Sequence, residues 1–366
     1  MNDEKIRVLM VGPMGLTGGV ANHTRSLKTE LEKRKEIKLT LYNCSPEHPI
    51  RFIQNARRYL ARRPLLAQYL KKNKNRFDII HTQSSGGMPG FWTAQTVADF
   101  KKRNKDIVFV MTFHHSDTKG FVEKHVKEIE PVMQELDHLI LVSNHQKDVF
   151  KEYFPWFTSI TVIPNGYSSD IFRPIPMKSA RERLGLPQNI PILLNIGNLK
   201  TYKGQIYLIQ AMKKIIARHE TATAYILGKG PLEAELNKVI KENGLENHVV
   251  LAGGGKPKDE IPVWMNACDI FVLPSLYEGN PTVMFEALGV GLPFVGTKVG
   301  GMPEIIQNNK LGLLVPPADP DALANAILKA LESDWDREYI RKYAKRYDLV
   351  NMANKVIEVY ENVAEK

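Results

Sequence analysis

The sequence predicts an α/β protein with two doubly wound parallel sheets. Short apolar runs that do not alternate with polar residues, such as residues 107–111 and 269–275, are typical of strands buried on both faces of a sheet. Between residues 190 and 331, such runs alternate regularly with helical segments, which favours right-handed crossovers. A chain of 366 residues is also long for one domain, so we expect two cores.

The boundary between the two domains is predicted at residues 170 and 171. A strand at residues 160–163 ends at Pro164, and an irregular linker should follow it. Three prolines mark this linker: Pro174, Pro176 and Pro187. The second domain then covers residues 171–347, and the chain ends in a helical segment over residues 335–366 that bends near residue 347.

Charge, cysteine content and hydropathy limit the partners, the cellular compartment and the membrane topology that the sequence predicts. The formal net charge of +10 favours anionic partners without choosing among nucleotides, membranes and nucleic acid. Cys44 and Cys268 lack metal-ligand spacing, so we expect reduced thiols and a cytoplasmic location. The amino terminus has no cleavage pattern for export, and no apolar run approaches the roughly 18 residues of a membrane span. Any membrane contact is therefore expected to be peripheral, on the inner face of the cell membrane.

The most informative stretch is residues 278–286, where two carboxylates are separated by seven residues across a loop and a helix. Pro281 suits the first helical position, which puts Glu278 before the helix and Glu286 within it. The N–H groups at the start of such a helix are suited to bind an anion such as a diphosphate. The two carboxylates would then accept hydrogen bonds from sugar and ribose hydroxyls. Taken singly, each Glu is better explained as an acidic cap or a helix-surface residue.

Three further loops carry candidate ligand-binding residues. A glycine loop with Gly18 and Gly19 follows the strand at residues 6–11, but it has neither a Walker pattern nor a clean dinucleotide fingerprint. His114 follows residues 107–111, at the end of a strand where open α/β sheets place ligands. A lone His at such a place is more often a structural hydrogen-bonding group. Lys203 precedes a predicted helix. At this position it either contacts a phosphate group or is an ordinary solvated lysine in a loop.

Together these motifs resemble the retaining glycosyltransferases of family 4, which have the GT-B fold and a Glu-x7-Glu signature. The resemblance continues from Glu286 through residues 287–297 and into residues 300–305, Gly-Gly-Met-Pro-Glu-Ile. In that family the first Glu contacts the donor sugar and the second contacts the ribose, so the resemblance implies these roles for Glu278 and Glu286. The GT-B fold also implies two Rossmann-like domains facing across a cleft. A last helix, near residues 348–366, would complete the first, acceptor-side domain.

The resemblance also covers the other loops. The Gly18-Gly19 pair is similar to the family's glycines that face the donor diphosphate, and His114 resembles the His that reaches the donor sugar, with His115 as its alternative. Residues 197–204 are similar to Gly-Arg-Leu…Lys-Gly, except that Asn replaces the usual Arg. Either Lys200 supplies the second positive charge, or the leaving group is stabilised less strongly. The other implied donor-binding residues are Gly197, Asn198, Lys200, Gly228, Gly230, Gly279, Asn280, Pro281 and Thr282.

The resemblance implies transfer of a hexose-type sugar from a nucleoside-diphosphate sugar, with a UDP-sugar favoured, to a hydroxyl acceptor such as a lipid-linked glycan or glycolipid. His114, Glu278 and Lys203 are the implied catalytic residues. No metal or cofactor is expected, since this design requires none. The resemblance also implies no protein nucleophile, because in that family the departing phosphate oxygen takes the proton of the acceptor. A sugar-nucleotide epimerase or a phosphorylase of similar architecture is the alternative enzyme. The sequence shows no candidate lysine for the pyridoxal phosphate of a phosphorylase.

Residues 51–76, which we call the basic segment, contain nine Arg or Lys residues and no Asp or Glu. Such a segment can lie on an anionic membrane, which stabilises each well-placed cation by about 1 kcal/mol. The alternative is an ordinary amphipathic helix with a solvated basic face, and Pro64 is expected to break the segment into two helices. A non-enzymatic membrane or nucleic-acid binder also stays open. Nucleic acid is not expected as a partner, because no RNA-recognition motif is present.

Overall fold

The computed structural model describes residues 5–15, 19–45, 61–85, 87–257 and 259–365. The chain divides into two compact units. The first unit contains Met1–Asn165 and Leu349–Lys366, and the second contains Gly166–Asp348. Each unit has a six-stranded sheet with helices, which confirms the predicted α/β class with two doubly wound sheets.

The first unit has a parallel sheet and seven helices among its described residues. Its strands are β1 (Ile6–Gly12), β2 (Ile37–Asn43), β3 (Ile79–Ser85), β4 (Val108–His114), β5 (His138–Leu141) and β6 (Ile160–Val162). They lie in the order β2-β1-β3-β4-β5-β6, and every pair of neighbours is parallel. The helices are Gly19–Leu31, Arg62–Lys72, Met88–Lys101, Thr118–Lys124, Val126–Met133, Asn144–Tyr153 and Leu349–Ala364, which we call the last helix.

The second unit is also built on parallel strands. They are β7 (Ile192–Ile196), β8 (Thr223–Leu227), β9 (Val249–Leu251), β10 (Ile270–Leu273), β11 (Phe294–Thr297) and β12 (Gly312–Val315). Their order is β12-β11-β10-β7-β8-β9. The helices are Met177–Leu184, Gln205–Ile216, Glu233–Glu242, Ile261–Ala267, Thr282–Gly289, Met302–Ile305, Pro320–Leu331 and Arg337–Ala344, with 3-10 turns at Thr201–Lys203 and Lys345–Tyr347.

The strand order of the second sheet reverses between β7 and β10. From β7 the chain first builds outward through β8 and β9, and it then returns to the other side of β7 to add β10, β11 and β12. In open parallel sheets, ligands bind outside the carboxyl ends of the strands at such a reversal. The fold therefore makes the loops after β7 and β10 the candidate ligand-binding edge of this sheet.

Alternation along β1 shows how the first sheet is covered on both faces. Leu9 belongs to one apolar cluster with the Met88–Lys101 helix, while Val8 and Met10 belong to another with the last helix. Successive strand residues point to opposite faces, so both faces need a helical layer. The last helix, which follows the 3-10 turn at Lys345–Tyr347, supplies part of one layer.

Several element boundaries differ from the prediction. The first helix begins at Gly19, which was assigned to the preceding loop. His114 is the final residue of β4 and does not follow it. The linker expected to be irregular contains the Met177–Leu184 helix, with Pro176 as its N-cap residue and Gly185 as its left-handed C-cap. Proline is well tolerated at a helix start, so these prolines delimit a helix and do not exclude one.

The basic segment is described from residue 61 onward, and residues 51–60 lie outside the described part of the chain. The Arg62–Lys72 helix runs through Pro64, which stands in its first turn, where the missing proline N–H removes no helical hydrogen bond. Arg62 is buried and donates hydrogen bonds to the Pro89 carbonyl and the Ser45 hydroxyl. The described part of the basic segment is therefore not a uniformly solvated basic face, because Arg62 is buried, whereas Lys71 and Lys72 are exposed.

None of the helices in the described ranges combines the length and the apolar composition that are needed to cross a bilayer.

Glycines hold the loops at the carboxyl edge of the second sheet in close contact. Gly204 adopts a left-handed conformation (φ +65°), and a Cβ atom there would lie 2.0 Å from the Pro274 carbonyl oxygen. Gly300 (φ +53°) lies against the next loop, where a Cβ would be 1.6 Å from the carbonyl oxygen of Glu278. The adjacent Gly301 N–H donates to the Gly279 carbonyl oxygen at 2.8 Å. These contacts leave no room for a side chain.

We predict that Gly300→Ala destabilises the protein by about 2–4 kcal/mol, because it adds a steric clash to an unfavourable left-handed conformation. Gly185→Ala is the matched control: its φ is +65°, but no atom lies within 4 Å of the added Cβ. It should therefore cost only about 1 kcal/mol. Urea denaturation followed by circular dichroism measures both changes. Equal losses of stability would show that the contact with Glu278 does not restrict residue 300.

Candidate functional site

An ion pair joins the loops that follow the two central strands of the second sheet. Lys203 ends the 3-10 turn after β7, and Glu278 lies in the loop after β10, the strand paired with β7. Lys203 Nζ is 2.6 Å from Glu278 Oε1, and the two side chains are only 15% and 4% exposed. The structure thus brings together two residues that the sequence predicted as functional, at the point where the strand order reverses.

Hydrogen bonding leaves one oxygen of Glu278 available. Ser275 Oγ donates to Glu278 Oε1 at 2.7 Å, so the hydroxyl and Lys203 share that oxygen. Within the described ranges, Oε2 accepts no hydrogen bond, and a carboxylate oxygen can accept from a ligand hydroxyl. The Ser275 carbonyl in turn accepts from Thr297 Oγ1 at 2.5 Å. Ser275 and Thr297 were not predicted as site residues, although both lie in the motifs that the sequence singled out.

The loop after Glu278 leads into the Thr282–Gly289 helix. Pro281 is the N-cap residue of this helix and not its first helical residue, and its own side chain makes no capping hydrogen bond. Gly279 and Asn280 are both buried beside Glu278. An uncapped helix start of this kind is suited to an anion, since its N–H groups and its dipole favour negative charge. Glu286 is half-buried farther along the same helix.

The glycines predicted to bind the donor have a packing explanation in the structure. A Cβ at Gly228 would lie 1.9 Å from the Gly197 carbonyl oxygen, and one at Gly230 would lie 2.2 Å from the Leu199 carbonyl oxygen. Leu199 N–H also donates to the Lys229 carbonyl at 3.0 Å. The loops after β7 and β8 are therefore in direct backbone contact, and glycine is needed there whether or not a ligand binds.

Asn198 and Lys200 are both exposed in the loop between β7 and the 3-10 turn. The Asn198 carbonyl accepts from Gln205 Nε2 at 3.2 Å, so the backbone of the loop is tied to the start of the next helix. The contacts of Lys200 do not show whether it replaces the arginine that the family usually has where this chain has Asn198. That role of Lys200 stays a prediction.

In the first unit, His114 lies at the carboxyl end of β4 and is 8% exposed. Its Nε2 is 2.9 Å from Oε1 of Gln83 on the neighbouring strand β3, and its ring meets the His23 ring edge-on at 4.5 Å between centroids. His115, the alternative, stacks on Phe121 at 4.4 Å. Gln83 and His23 were missed as partners of His114. The sequence could not pair them with His114, because the contacts arise from strand register and helix packing.

Burial keeps the imidazoles around His114 neutral. It lowers the pKa of His23 to about 4 and that of His81 to about 3. Burial, followed by the neighbouring His23 and His81, also holds the pKa of His114 well below its usual range. A neutral imidazole has one donor and one acceptor nitrogen, so its hydrogen-bond partners decide how it presents itself to a ligand.

Two predictions about the site stay open. Gly18 lies outside the described residues, while Gly19 begins the first helix, and no atom of the described residues lies within 4 Å of a Cβ added there. Across the described ranges, no three or more His, Cys, Asp or Glu side chains are grouped so that they could hold a metal ion. Transfer without a metal or cofactor stays a prediction.

The chain resembles known proteins over most of its length. The family model for glycosyl transferases group 1 matches residues 177–347, and the model for glycosyltransferase family 4 matches residues 17–170. The structure of a sucrose-phosphate synthase from Thermosynechococcus elongatus superposes with a TM-score of 0.80 at 19% identity, covering 98% of this chain and 99% of the other. That likeness establishes the GT-B fold.

Two curated relatives come from bacteria. A GDP-mannose-dependent alpha-(1-6)-phosphatidylinositol monomannoside mannosyltransferase of Mycobacterium tuberculosis is 32% identical over 55% of this chain and 54% of its own length. A UDP-Gal:alpha-D-GlcNAc-diphosphoundecaprenol alpha-1,3-galactosyltransferase of Escherichia coli is 27% identical over 81% of this chain and 78% of its own. For relatives above 30% identity, the match spans about half of their length or less. With the two family models matching successive parts of the chain, the protein belongs to the family 4 glycosyltransferases of the GT-B fold.

Proposed function

We propose that the protein transfers a hexose-type sugar from a nucleoside-diphosphate sugar to a hydroxyl acceptor, with retention of the anomeric configuration. The observation that carries this proposal is the buried Lys203–Glu278 pair beside the uncapped start of the Thr282–Gly289 helix. A cation and a helix start suit a diphosphate, and a carboxylate oxygen suits a sugar hydroxyl. The second unit then binds the nucleotide sugar, and the first unit supplies His114 and the acceptor side.

In this proposal the diphosphate is a leaving group that must be stabilised as its charge grows. Lys203 and the helix start supply positive potential for it, with Gly18 and Gly19 as further phosphate contacts. The bond from the anomeric carbon to phosphate breaks as the bond to the acceptor oxygen forms, and the departing phosphate oxygen takes the hydroxyl proton on the same face. No protein nucleophile is needed. Glu278 and His114 hold the sugar, and Glu286 holds the ribose.

We favour a UDP-sugar as the donor, and the two relatives show why the base must be tested: one is named for GDP-mannose and the other for UDP-galactose. Thermal unfolding with a panel of UDP-, GDP- and ADP-sugars is the direct experiment. Stabilisation by UDP-sugars supports the proposal, and stabilisation by GDP- or ADP-sugars corrects the base. If no nucleotide sugar raises the unfolding temperature, the proposed function is wrong. A donor whose sugar is converted without any acceptor would indicate the alternative, an epimerase.

A lipid-linked acceptor is the second part of the proposal. The names of both relatives describe acceptors that carry a lipid: a phosphatidylinositol monomannoside and a diphosphoundecaprenol-linked sugar. An acceptor of this kind stays at a membrane surface, and the exposed cations of the basic segment are suited to anionic lipids. We therefore place the protein peripherally on the cytoplasmic face of the cell membrane.

Glu286→Ala should weaken binding of the free nucleoside diphosphate about 10–100-fold, because hydrogen bonds to a charged group contribute about 1.5–3 kcal/mol. Calorimetry measures the affinity, and circular dichroism checks the fold. Glu246→Ala is the matched control, since Glu246 is exposed in a loop of the same unit. If a folded Glu286→Ala protein binds the nucleoside diphosphate with unchanged affinity, Glu286 does not contact the ribose.

Lys203→Ala and Glu278→Ala should divide the two parts of the donor. The lysine change removes the cation that meets phosphate, so it should weaken both the free diphosphate and the intact donor by about tenfold or more. The glutamate change removes the sugar contact and releases Lys203 from its pair. It should therefore weaken only the intact donor and leave the free diphosphate bound as well as before or better.

Calorimetry with both ligands on both variants tests this division. Lys213→Ala is the control, because Lys213 is an exposed lysine on the helix after the 3-10 turn. If the two variants weaken both ligands to the same degree, Lys203 and Glu278 do not have separate ligand contacts.

Sedimentation with vesicles of phosphatidylcholine and phosphatidylglycerol tests the membrane proposal. Binding should fall as salt rises, because ions screen exposed charges over about 10 Å at 0.1 M. It should fall further in a Lys71→Gln/Lys72→Gln variant but not in a Lys238→Gln/Lys241→Gln control in the second unit. Arg62 is left unchanged, because its buried hydrogen bonds support the fold. Lack of binding at low salt would leave the basic segment as a solvated surface.

A further inference from the structure

A row of buried polar side chains connects the last helix to His114. Tyr360 Oη on the last helix is 2.6 Å from His81 Nδ1, and His81 Nε2 is 2.7 Å from Thr112 Oγ1. Gln83 Nε2 is 3.2 Å from His81 Nε2, and Gln83 Oε1 is 2.9 Å from His114 Nε2. Every member of the row is at most 8% exposed.

Strand register explains why these residues meet. His81 and Gln83 are two positions apart on β3, so their side chains leave the same face of the sheet. Gln83 is registered with Thr112 on β4, and His114 follows two positions later on the same face. Ile79 and Val110, which share this face, lie in the apolar cluster with the last helix. The row is therefore a polar line within the interface between the sheet and that helix.

Hydrogen bonding along the row is directional, because the imidazoles of His81 and His114 are neutral. Gln83 Oε1 accepts from His114, so His114 carries its proton on Nε2. Gln83 Nε2 donates to His81 Nε2, so His81 carries its proton on Nδ1 and donates it to the Tyr360 oxygen. A half-turn of the Gln83 amide would exchange its oxygen and nitrogen, and both imidazoles would then have to move their protons.

We propose that Tyr360, His81 and Gln83 form a relay that fixes which ring nitrogen of His114 carries the proton. These three are positioning residues, since they act through His114. In the arrangement seen, His114 Nδ1 makes no hydrogen bond with the described residues and is left to accept one from a ligand. The identification of this ligand as the donor sugar rests on the proposed function. The relay itself does not depend on that function.

Removing the Tyr360 hydroxyl should change the protonation site on His114. In Tyr360→Phe, the Nδ1–H of His81 loses its acceptor, and a buried unpaired N–H is unfavourable. Moving that proton to Nε2 restores a partner, because Nε2–H can donate to Thr112. Gln83 must then turn its amide oxygen toward His81 and its nitrogen toward His114. His114 consequently shifts toward the form protonated on Nδ1.

Long-range ¹H–¹⁵N NMR of the ¹⁵N-labelled full chain distinguishes the two forms of each histidine, with His114 assigned by its loss in His114→Gln. The expected result is a shift of the His114 form in Tyr360→Phe. Tyr343→Phe is the matched control, because Tyr343 is another buried tyrosine, whose hydroxyl donates to the Ile305 carbonyl in the second unit. An unchanged His114 form in Tyr360→Phe, equal to that in the control, would overturn the relay.

A second variant separates the relay from a general structural effect. Gln83→Met keeps the length of the side chain but removes both hydrogen bonds, so it should leave His114 as a mixture of the two forms. In that background, Tyr360→Phe should no longer affect His114. An equal effect of Tyr360→Phe with and without Gln83 would contradict the proposal.

Kinetics then tests the use of the relay. Gln83→Met should lower kcat about tenfold and leave the affinity for free nucleoside diphosphate unchanged, since only the sugar contact is disturbed. Equal kcat values for Gln83→Met and wild type would show that the relay does not contribute to sugar transfer. If the wild-type protein shows no sugar transfer while the NMR changes occur, the proposed function fails and the relay stands.

Discussion

Parallel strand pairing is the constraint on which the rest of the structure depends. Neighbouring strands in both described sheets run in the same direction, so the loops that leave the strands emerge at one edge of each sheet. Lys203 and Glu278 reach each other because β7 and β10 are paired and their loops diverge in opposite directions along the sheet. Gln83 and His114 meet for a related reason, at the ends of the paired strands β3 and β4. Parallel pairing also requires helices on both faces, and the last helix helps to supply one of those layers.

In the proposed function, the Lys203–Glu278 pair explains how the site can be stable without a ligand and still bind one. Separating such a buried pair costs about 3–5 kcal/mol when one partner is left unpaired. In the proposed function, a diphosphate beside Lys203 replaces the contact that Lys203 loses when the pair separates, and a sugar hydroxyl replaces the contact that Glu278 loses. Ser275 and the close-packed glycine loops hold the carboxylate in place during this exchange. Glu278, which pairs with Lys203 in this structure, then holds the sugar in the proposed complex.

Local sequence patterns predicted much of the fold, because apolar runs, glycine loops and prolines act over a few neighbouring residues. They placed the central strands and the loop from Glu278 into the following helix. They failed where one residue type permits two structures: Gly19 was assigned to a loop and begins a helix, and Pro176 was assigned to irregular chain and caps one. The burial of Arg62 could not be predicted either, because composition does not reveal burial, which here depends on contacts with Ser45 and Pro89.

The partners of His114 were beyond prediction for a different reason. Tyr360 and His81 are 279 positions apart, and the distance between them is set by the packing of the last helix on the first sheet. On that helix, Tyr360 lies among apolar residues such as Val356 and Val363, so its hydroxyl is a polar atom within an apolar face. A polar atom in such a place needs a partner, and His81 is the partner that the sheet presents. The packing that stabilises the first unit therefore also determines the hydrogen bonds around His114, and in the proposed relay a change in the last helix alters the protonation of His114 without contacting it.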